Sequence, residues 1–382
     1  MEAQTRTEFE GDTKAKASRS FLKDKLPLSG LREFWYPAVR ASKVGEKPIA
    51  VKLVGDEIAL YRDAGEVYAV HNRCPHRGLP MSMGKRHFPG TISCAYHGWT
   101  FDTKGACVAA LNEGPCSRLP GRVSIRTYPV EERNGVVWVY MGAKAPRPIE
   151  DDVPAELLDP KAITYFHTEE WDFNWLPGLE NLMDTHDLFV HRNSPFYFFK
   201  KIPAWAEVAA EVMPDGRGVS YSYSKVGPLQ ENFPNLGKWP KRVWWRRSKI
   251  GAPSGEYLTA QLRLPGITRV GFTTLMFVRY MVPIDDTHCR AFLFSTRRVS
   301  GFRAIGYRLY YHLWASWSLL NLFIGQDTVV FAAQDYDAPE QLAAADTGIV
   351  KWRRIIANHA AAERGDDSGR AKVSVLPKAG AN

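Results

Sequence analysis

Two short loops, Cys74-Pro75-His76 and Cys94-Ala95-Tyr96-His97, stand seventeen residues apart, and each offers one Cys and one His. No other stretch of the 382 residues constrains the fold so tightly, because all four donors must reach one place. A structural zinc site usually groups its ligands by type, as Cys-x-x-Cys with His-x₃₋₅-His. Here each loop supplies a mixed pair. Two thiolates on one iron and two imidazoles on the other suit a [2Fe–2S] cluster, and imidazole in place of thiolate raises its reduction potential. The surrounding chain must then hold two loops at one tip.

The flanking sequence reads as that holder. Residues 50–54 and 57–61 are strand-like and separated by Gly55-Asp56, a hairpin signal. Further short strands are expected at 67–70, 91–93, 100–102 and 136–140, with turns at 63–66 and at Lys104-Gly105. Many short strands with frequent turns describe a small all-β unit. Residues 143–154 are rich in Pro and charge and mark a boundary.

A second constellation lies beyond that boundary. Residues 171–191 read WDFNWLPGLENLMDTHDLFVH, with a helix expected after Pro177-Gly178. Glu180, Asn181, Asp184, His186, Asp187 and His191 crowd into twelve residues. Asp187 and His191, at i and i+4, converge on a regular helix, whereas His186 and His191, at i and i+5, stand roughly 140° apart and need a bent or bulged segment. Farther on, residues 219–224, 256–264, 270–281 and 291–297 read as strands.

Cys74-Pro75-His76-Arg77-Gly78 and Cys94-x-x-His97-Gly98-Trp99 resemble the Rieske domains of ring-hydroxylating oxygenases. Respiratory-type Rieske proteins would place an extra Cys at Leu79 and at Tyr96, so the chain lacks their bridge and resembles the oxygenase type. The 171–191 segment resembles the ligand helix of the same family, and the His-x₄-His spacing favours His186 and His191 as two ligands of a mononuclear Fe(II). The family pattern has two residues between Asp and the first His; here only Thr185 intervenes, which keeps Asp187 as a rival. A 2-His-1-carboxylate triad leaves open positions on iron. The remote carboxylate is expected to be Asp327, an acid opening an apolar helical run, with Asp335 and Asp337 as alternatives and an N-cap role as the plain structural one. By the same resemblance, Asp184 joins His97 or His76 of one chain to His186 of another, which implies a homotrimer.

The resemblance implies an α+β chain. An N-terminal arm (1–32) precedes an all-β Rieske [2Fe–2S] domain (33–145). A helix-grip, START-like catalytic domain with an antiparallel sheet follows (146–363), then a flexible tail (364–382). It implies a terminal oxygenase component of the α-only type, similar to the carbazole dioxygenase and vanillate demethylase groups. Electrons would come from NAD(P)H through a separate reductase or ferredoxin, and O₂ would be inserted into a hydrophobic, cyclic or aromatic substrate. O- or N-demethylation is the alternative chemistry. A Rieske electron-transfer protein and a zinc-stabilised binding protein are the readings from other classes. Apolar wall candidates include Phe277, Phe292, Trp317 and Phe323.

Charge and composition narrow the partners. Net charge is +9, which suits an acidic protein or an anionic surface. Arg77, Lys85 and Arg86 flank the ligand loops, where an acidic ferredoxin would dock. Residues 239–249 mix aromatics with five basic residues but come with no nucleic-acid motif, so no nucleic-acid partner is expected. Residues 309–326 hold no Asp, Glu, Lys or Arg. A buried or pocket-lining helix is the first reading and a peripheral membrane contact the second. Five Cys without a disulfide pattern and a polar N-terminus without an apolar leader core fit a cytoplasmic protein.

Overall fold

The computed structural model describes residues 23–183, 190, 205–227, 260–271, 275–336 and 338–365. The N-terminal half holds ten strands: β1 (Trp35–Arg40), β2 (Ile49–Leu53), β3 (Asp56–Asp63), β4 (Glu66–His71), β5 (Thr91–Ser93), β6 (Trp99–Asp102), β7 (Cys107–Ala110), β8 (Thr127–Tyr128), β9 (Val130–Arg133) and β10 (Val136–Tyr140). They form three antiparallel sheets, ordered β1-β10-β9, β2-β3-β4-β8 and β5-β6-β7. The β2–β3 turn is Val54-Gly55, with φ of 49° and 81°. That is one residue earlier than expected, because Leu53 pairs with Asp56 and draws Asp56 into the strand. Two successive positive φ values match the right-handed strand twist, which is why Gly55 sits there.

The C-terminal half is built on one antiparallel sheet. Its strands are β11 (Ala162–Trp171), β12 (Trp205–Val212), β13 (Gly218–Gly227), β14 (Ala260–Arg263), β15 (Ile267–Gly271), β16 (Met276–Pro283) and β17 (Cys289–Arg298). Their order is β11-β17-β16-β15-β14-β13-β12. The stretch 270–281, expected as one strand, is divided between β15 and β16. Six described helical segments accompany the sheet: α1 (Ala155–Leu158), α2 (Trp175–Glu180), α3 (Gly301–Tyr310), α4 (Ser316–Leu319), α5 (Gly325–Ala333) and α6 (Thr347–Glu363). The fold class is α+β, as expected.

α2 starts earlier than the sequence suggested. Asn174 caps it, its side chain accepting from the Leu176 N–H. Pro177 falls in the first turn, where no helical hydrogen bond is lost. From Gly301 to Ala333 the backbone stays helical, with π turns at Tyr311–Ala315 and Leu320–Ile324 linking α3, α4 and α5. Tyr307, Tyr311, Ala315 and Leu319 bury one side of this run, while Leu309, Leu313, Trp314 and Trp317 lie exposed on the other. The buried-helix reading of 309–326 therefore holds for one face alone, and Trp317 is not a pocket wall.

The two halves share a core. Trp138 of β10 stacks on Phe294 of β17 at 6.1 Å and meets Tyr280 of β16 edge-on at 5.5 Å. The Val54 N–H donates to the Pro283 carbonyl at 2.7 Å, and the Arg40 guanidinium donates to the Phe166 carbonyl at 2.9 Å. These aromatic contacts seat the N-terminal β unit on the sheet.

Candidate metal centres

The two ligand loops have the same backbone design. In the first, the Cys74 N–H donates to Leu79 O at 2.9 Å and the Gly78 N–H to Cys74 O at 2.9 Å. In the second, the Cys94 N–H donates to Trp99 O at 2.9 Å and the Gly98 N–H to Cys94 O at 3.1 Å. Gly78 and Gly98 both take the left-handed conformation, with φ of 73° and 65°. Each turn needs that residue four places after its Cys, and only Gly adopts it without strain. A reciprocal bridge between Lys85 and Ser93 ties the two loops together. A Cβ on Gly84 would come within 2.3 Å of the Ser93 carbonyl, so the crossing also requires Gly.

The side chains these loops present are sorted by depth. Cys74 and Cys94 are buried, His97 is half-buried and His76 is exposed. The two imidazole centroids lie 4.6 Å apart, and His76 stacks on Trp99 at 4.5 Å. Burial, with the Cys94 thiol hydrogen-bonded alongside, pushes the Cys74 thiol up to about 11. The N–H groups of His76 and Arg77 donate to the same sulfur and pull the other way. Such donors favour a thiolate, the form a metal requires. All five Cys are free thiols, so no bridge joins the loops. Among the described residues no three or more His, Cys, Asp and Glu converge as ligands of a single ion. A two-iron cluster makes no such demand, since each iron takes two protein ligands. Buried thiols beneath and imidazoles at the tip fit that group.

The second centre is described in part. Asp184, His186, Asp187 and His191 lie outside the described residues, as do Asp337 and the basic run 239–249. Asp327 is the third residue of α5 and therefore not an N-cap, and it is only 3% exposed. Asp335 is exposed. α5 packs against α2, whose C-terminal continuation leads straight into residue 184. Arg279 of β16 is buried beneath both: its guanidinium donates to the Gly178 carbonyl of α2. Burial pulls the Arg279 guanidinium down, and the nearby charge of Asp327 opposes that pull. Phe331 closes the same corner against Phe173 at 5.4 Å.

A second buried cation fixes the far end of α2. Arg353 of α6 grips Glu180 through two hydrogen bonds of 2.6 Å each, and Glu340 accepts from the same guanidinium. Burial would lower Arg353, but the two carboxylates outweigh it and hold Arg353 charged. Arg279 was missed in the sequence. A lone cation in the apolar strand Met276–Pro283, MFVRYMVP, was the signal for it. The partner of Glu180 carried no local signal, because the pair is 173 residues apart in the chain.

Residues 34–129 match the model of the Rieske [2Fe–2S] domain, and residues 171–362, half of the chain, match that of the vanillate O-demethylase oxygenase C-terminal domain. The chain belongs to the Rieske non-haem iron oxygenases. This Rieske oxygenase is 35% identical over 283 residues to the 4beta-methylsterol monooxygenase of Methylococcus capsulatus, covering 68% of this chain and 72% of that relative. It is 36% identical over 185 residues to the terminal oxygenase component of carbazole 1,9a-dioxygenase from a Sphingomonas species. The chain spans 48% of that relative's length, and 44% of its counterpart from Metapseudomonas resinovorans. The carbazole 1,9a-dioxygenase terminal oxygenase from Novosphingobium sp. KA1 has the same fold, with a TM-score of 0.75 at 26% identity over 90% of this chain and 97% of that one.

Proposed function

We propose that this Rieske oxygenase is a terminal oxygenase component. It takes electrons from a ferredoxin or reductase and inserts oxygen into a hydrophobic, cyclic substrate. The observation that carries this reading is the buried carboxylate of Asp327, packed beside the helix that leads into His186, Asp187 and His191. A pure electron-transfer protein would have no use for a buried carboxylate beside a segment so rich in His and Asp. When bound, the cluster supplies single electrons and the mononuclear iron supplies oxygen activation.

The chain's own residues have four tasks. Cys74, Cys94, His76 and His97 hold the cluster, with the imidazoles outermost, where a donor protein reaches them. Asp327 completes the iron triad with His191 and with His186 or its rival Asp187. Asp184 accepts from the N–H of His97 or His76 of one subunit and of His186 in the next, fixing both tautomers; a lone protomer then does not turn over, and the unit is a homotrimer. Phe277 and Phe292, buried on the sheet, exclude water from the substrate side. The similarity to the vanillate O-demethylase oxygenase C-terminal domain favours demethylation as the second chemistry.

The partners in this reading are an acidic ferredoxin at exposed Arg77 and Lys85, and a membrane surface touched from one side. Arg86 is occupied by Asp63 and Glu46 and contributes less. No helix among the described residues is long and apolar enough to cross a membrane. Five free thiols suit the cytoplasm. The deciding experiment is low-temperature electron paramagnetic resonance of anaerobically purified, dithionite-reduced protein, with an iron count. About three irons per chain with a rhombic Rieske signal is the expected result. A Rieske signal with about two irons, and no oxygen uptake after Fe(II) addition, would reduce the protein to an electron carrier.

A further inference from the structure

Residues 302–317 carry a second apolar face that covers nothing in the described structure. Phe302, Ile305, Leu309, Leu313, Trp314 and Trp317 point outward, with Phe302 91% and Leu313 77% exposed. Their steps of mostly three or four residues place them along one side of the helical run. The opposite side, through Tyr307, Tyr311, Ala315 and Leu319, is already committed to the core. An exposed stripe of this kind marks a contact surface.

Charge identifies the contact. Residues 287–326 contain five Arg and not one Asp or Glu. Arg303 and Arg308 are exposed on the same helical segment as the stripe. Trp314 and Trp317 stand together at its far end, 5.7 Å between ring centroids. Aliphatic anchors, flanking Arg and clustered Trp are what an anionic lipid interface accepts, since indole settles at the headgroup level and guanidinium pairs with phosphate. A second copy applying the same face would bring Arg303 and Arg308 towards like charges, and a trimer neighbour applying a different face is told apart by the elution volume of a variant in the stripe. With no membrane-crossing helix among the described residues, the contact is one of lying on the surface rather than spanning it.

We propose that this face seats the protein on an anionic lipid surface. The proposal deepens the peripheral contact named above: the helical run that lies on the lipid continues directly into Asp327, so a poorly soluble substrate leaves the bilayer beside the candidate iron site.

Flotation of the purified full-length protein with phosphatidylcholine vesicles, with and without phosphatidylglycerol, tests it. The protein should float with the anionic vesicles at least about tenfold more than with neutral ones. Phe302→Ser with Leu313→Ser should lower the bound fraction about tenfold. Arg303→Glu with Arg308→Glu should abolish the preference for anionic vesicles. Val108→Ser, at an exposed position on β7, should change nothing. Each variant should keep the cluster absorption spectrum and the elution volume of the parent. No flotation with either vesicle, or flotation that survives Phe302→Ser with Leu313→Ser, overturns the proposal. So does dissociation of the oligomer in that variant, which would show that another copy covers the face. Vesicle binding is read without turnover, so its failure is distinct from a failure of the oxygenase reading.

Discussion

The two candidate metal regions of this Rieske oxygenase are built on opposite plans. The cluster cradle is local: four ligands from two loops of one design, within twenty-four residues, each closed by a left-handed Gly and bridged once at Lys85 and Ser93. The iron corner is assembled from afar. Asp327 comes from α5 and sets its charge near Arg279 of β16, which donates to the Gly178 carbonyl of α2, while Arg353 of α6 holds Glu180 at the end of α2. A local cradle depends on backbone geometry. An assembled corner depends on buried charges finding their partners, so the two regions should fail differently.

The largest effects separate the two centres. Cys94→Ser should abolish the Rieske signal and reduce turnover to background, because one iron loses a ligand. Asp327→Ala should also end turnover while leaving the Rieske signal whole, with the iron count falling by about one per chain. If both variants lost the signal, the two regions would not be independent.

Next in size is the buried ion triad. Arg353→Met leaves Glu180 buried and unpaired, at a cost of about 3–5 kcal/mol. The melting temperature should drop on the order of 10 °C. Arg353→Lys should recover little, since a point charge cannot reproduce the two-pronged grip. Recovery to the parental melting temperature would show that charge alone matters there.

Backbone substitutions in the cradle should cost less, and unequally. Gly98→Ala meets both a φ of 65° and the Leu111 side chain 2.7 Å from the new Cβ. It should destabilise by about 1–3 kcal/mol and lower cluster occupancy, read from the absorbance-to-protein ratio. Gly78→Ala has a similar φ of 73° but open space, so about 1 kcal/mol is expected. Equal losses would mean that the Leu111 contact is relieved at no cost.

Smallest is an effect of acid on the β unit. Burial pushes the Asp56 carboxyl up, but hydrogen bonds from Arg32 and Tyr128 and the charge of Arg126 outweigh it and hold it below its ordinary value. Its contribution is therefore present above an unfolded carboxyl value near 3.8 and fades as pH falls through the lowered folded value. Asp56→Asn should flatten the acid limb of the melting-temperature profile by a few degrees at most.

This contrast also explains what could be read without the structure. The cradle was legible because ligands, turn Gly and feeding strands are neighbours in the chain. Even there the β2–β3 turn fell one residue early, since strand pairing rather than the Gly-Asp dipeptide sets the register. Asp327 stood out as an acid heading an apolar run, and it is buried there. The carboxylate partner of Arg353 could not be read, because nothing near position 353 points to position 180. The helix of residues 309–326 was legible on one side only, for a different reason. It is apolar on both sides, so periodicity could not say that one side faces outward.

The two π turns have a consequence for how this helix can change. Each holds one residue more than the α turn it replaces, so together they set everything beyond Ile324 back by roughly 200° around the axis relative to an uninterrupted α-helix. Relaxing Leu320–Ile324 to α at unchanged length would turn the Asp327 carboxylate by about 100°, whereas deleting one residue there lets the turn become α and keeps the carboxylate's aim, with the outward stripe upstream unmoved in both cases. The helix thus behaves as two indexed segments on one shaft, in which a change of hydrogen-bond register at Leu320–Ile324, rather than a loss of length, re-aims the carboxylate without disturbing the surface face.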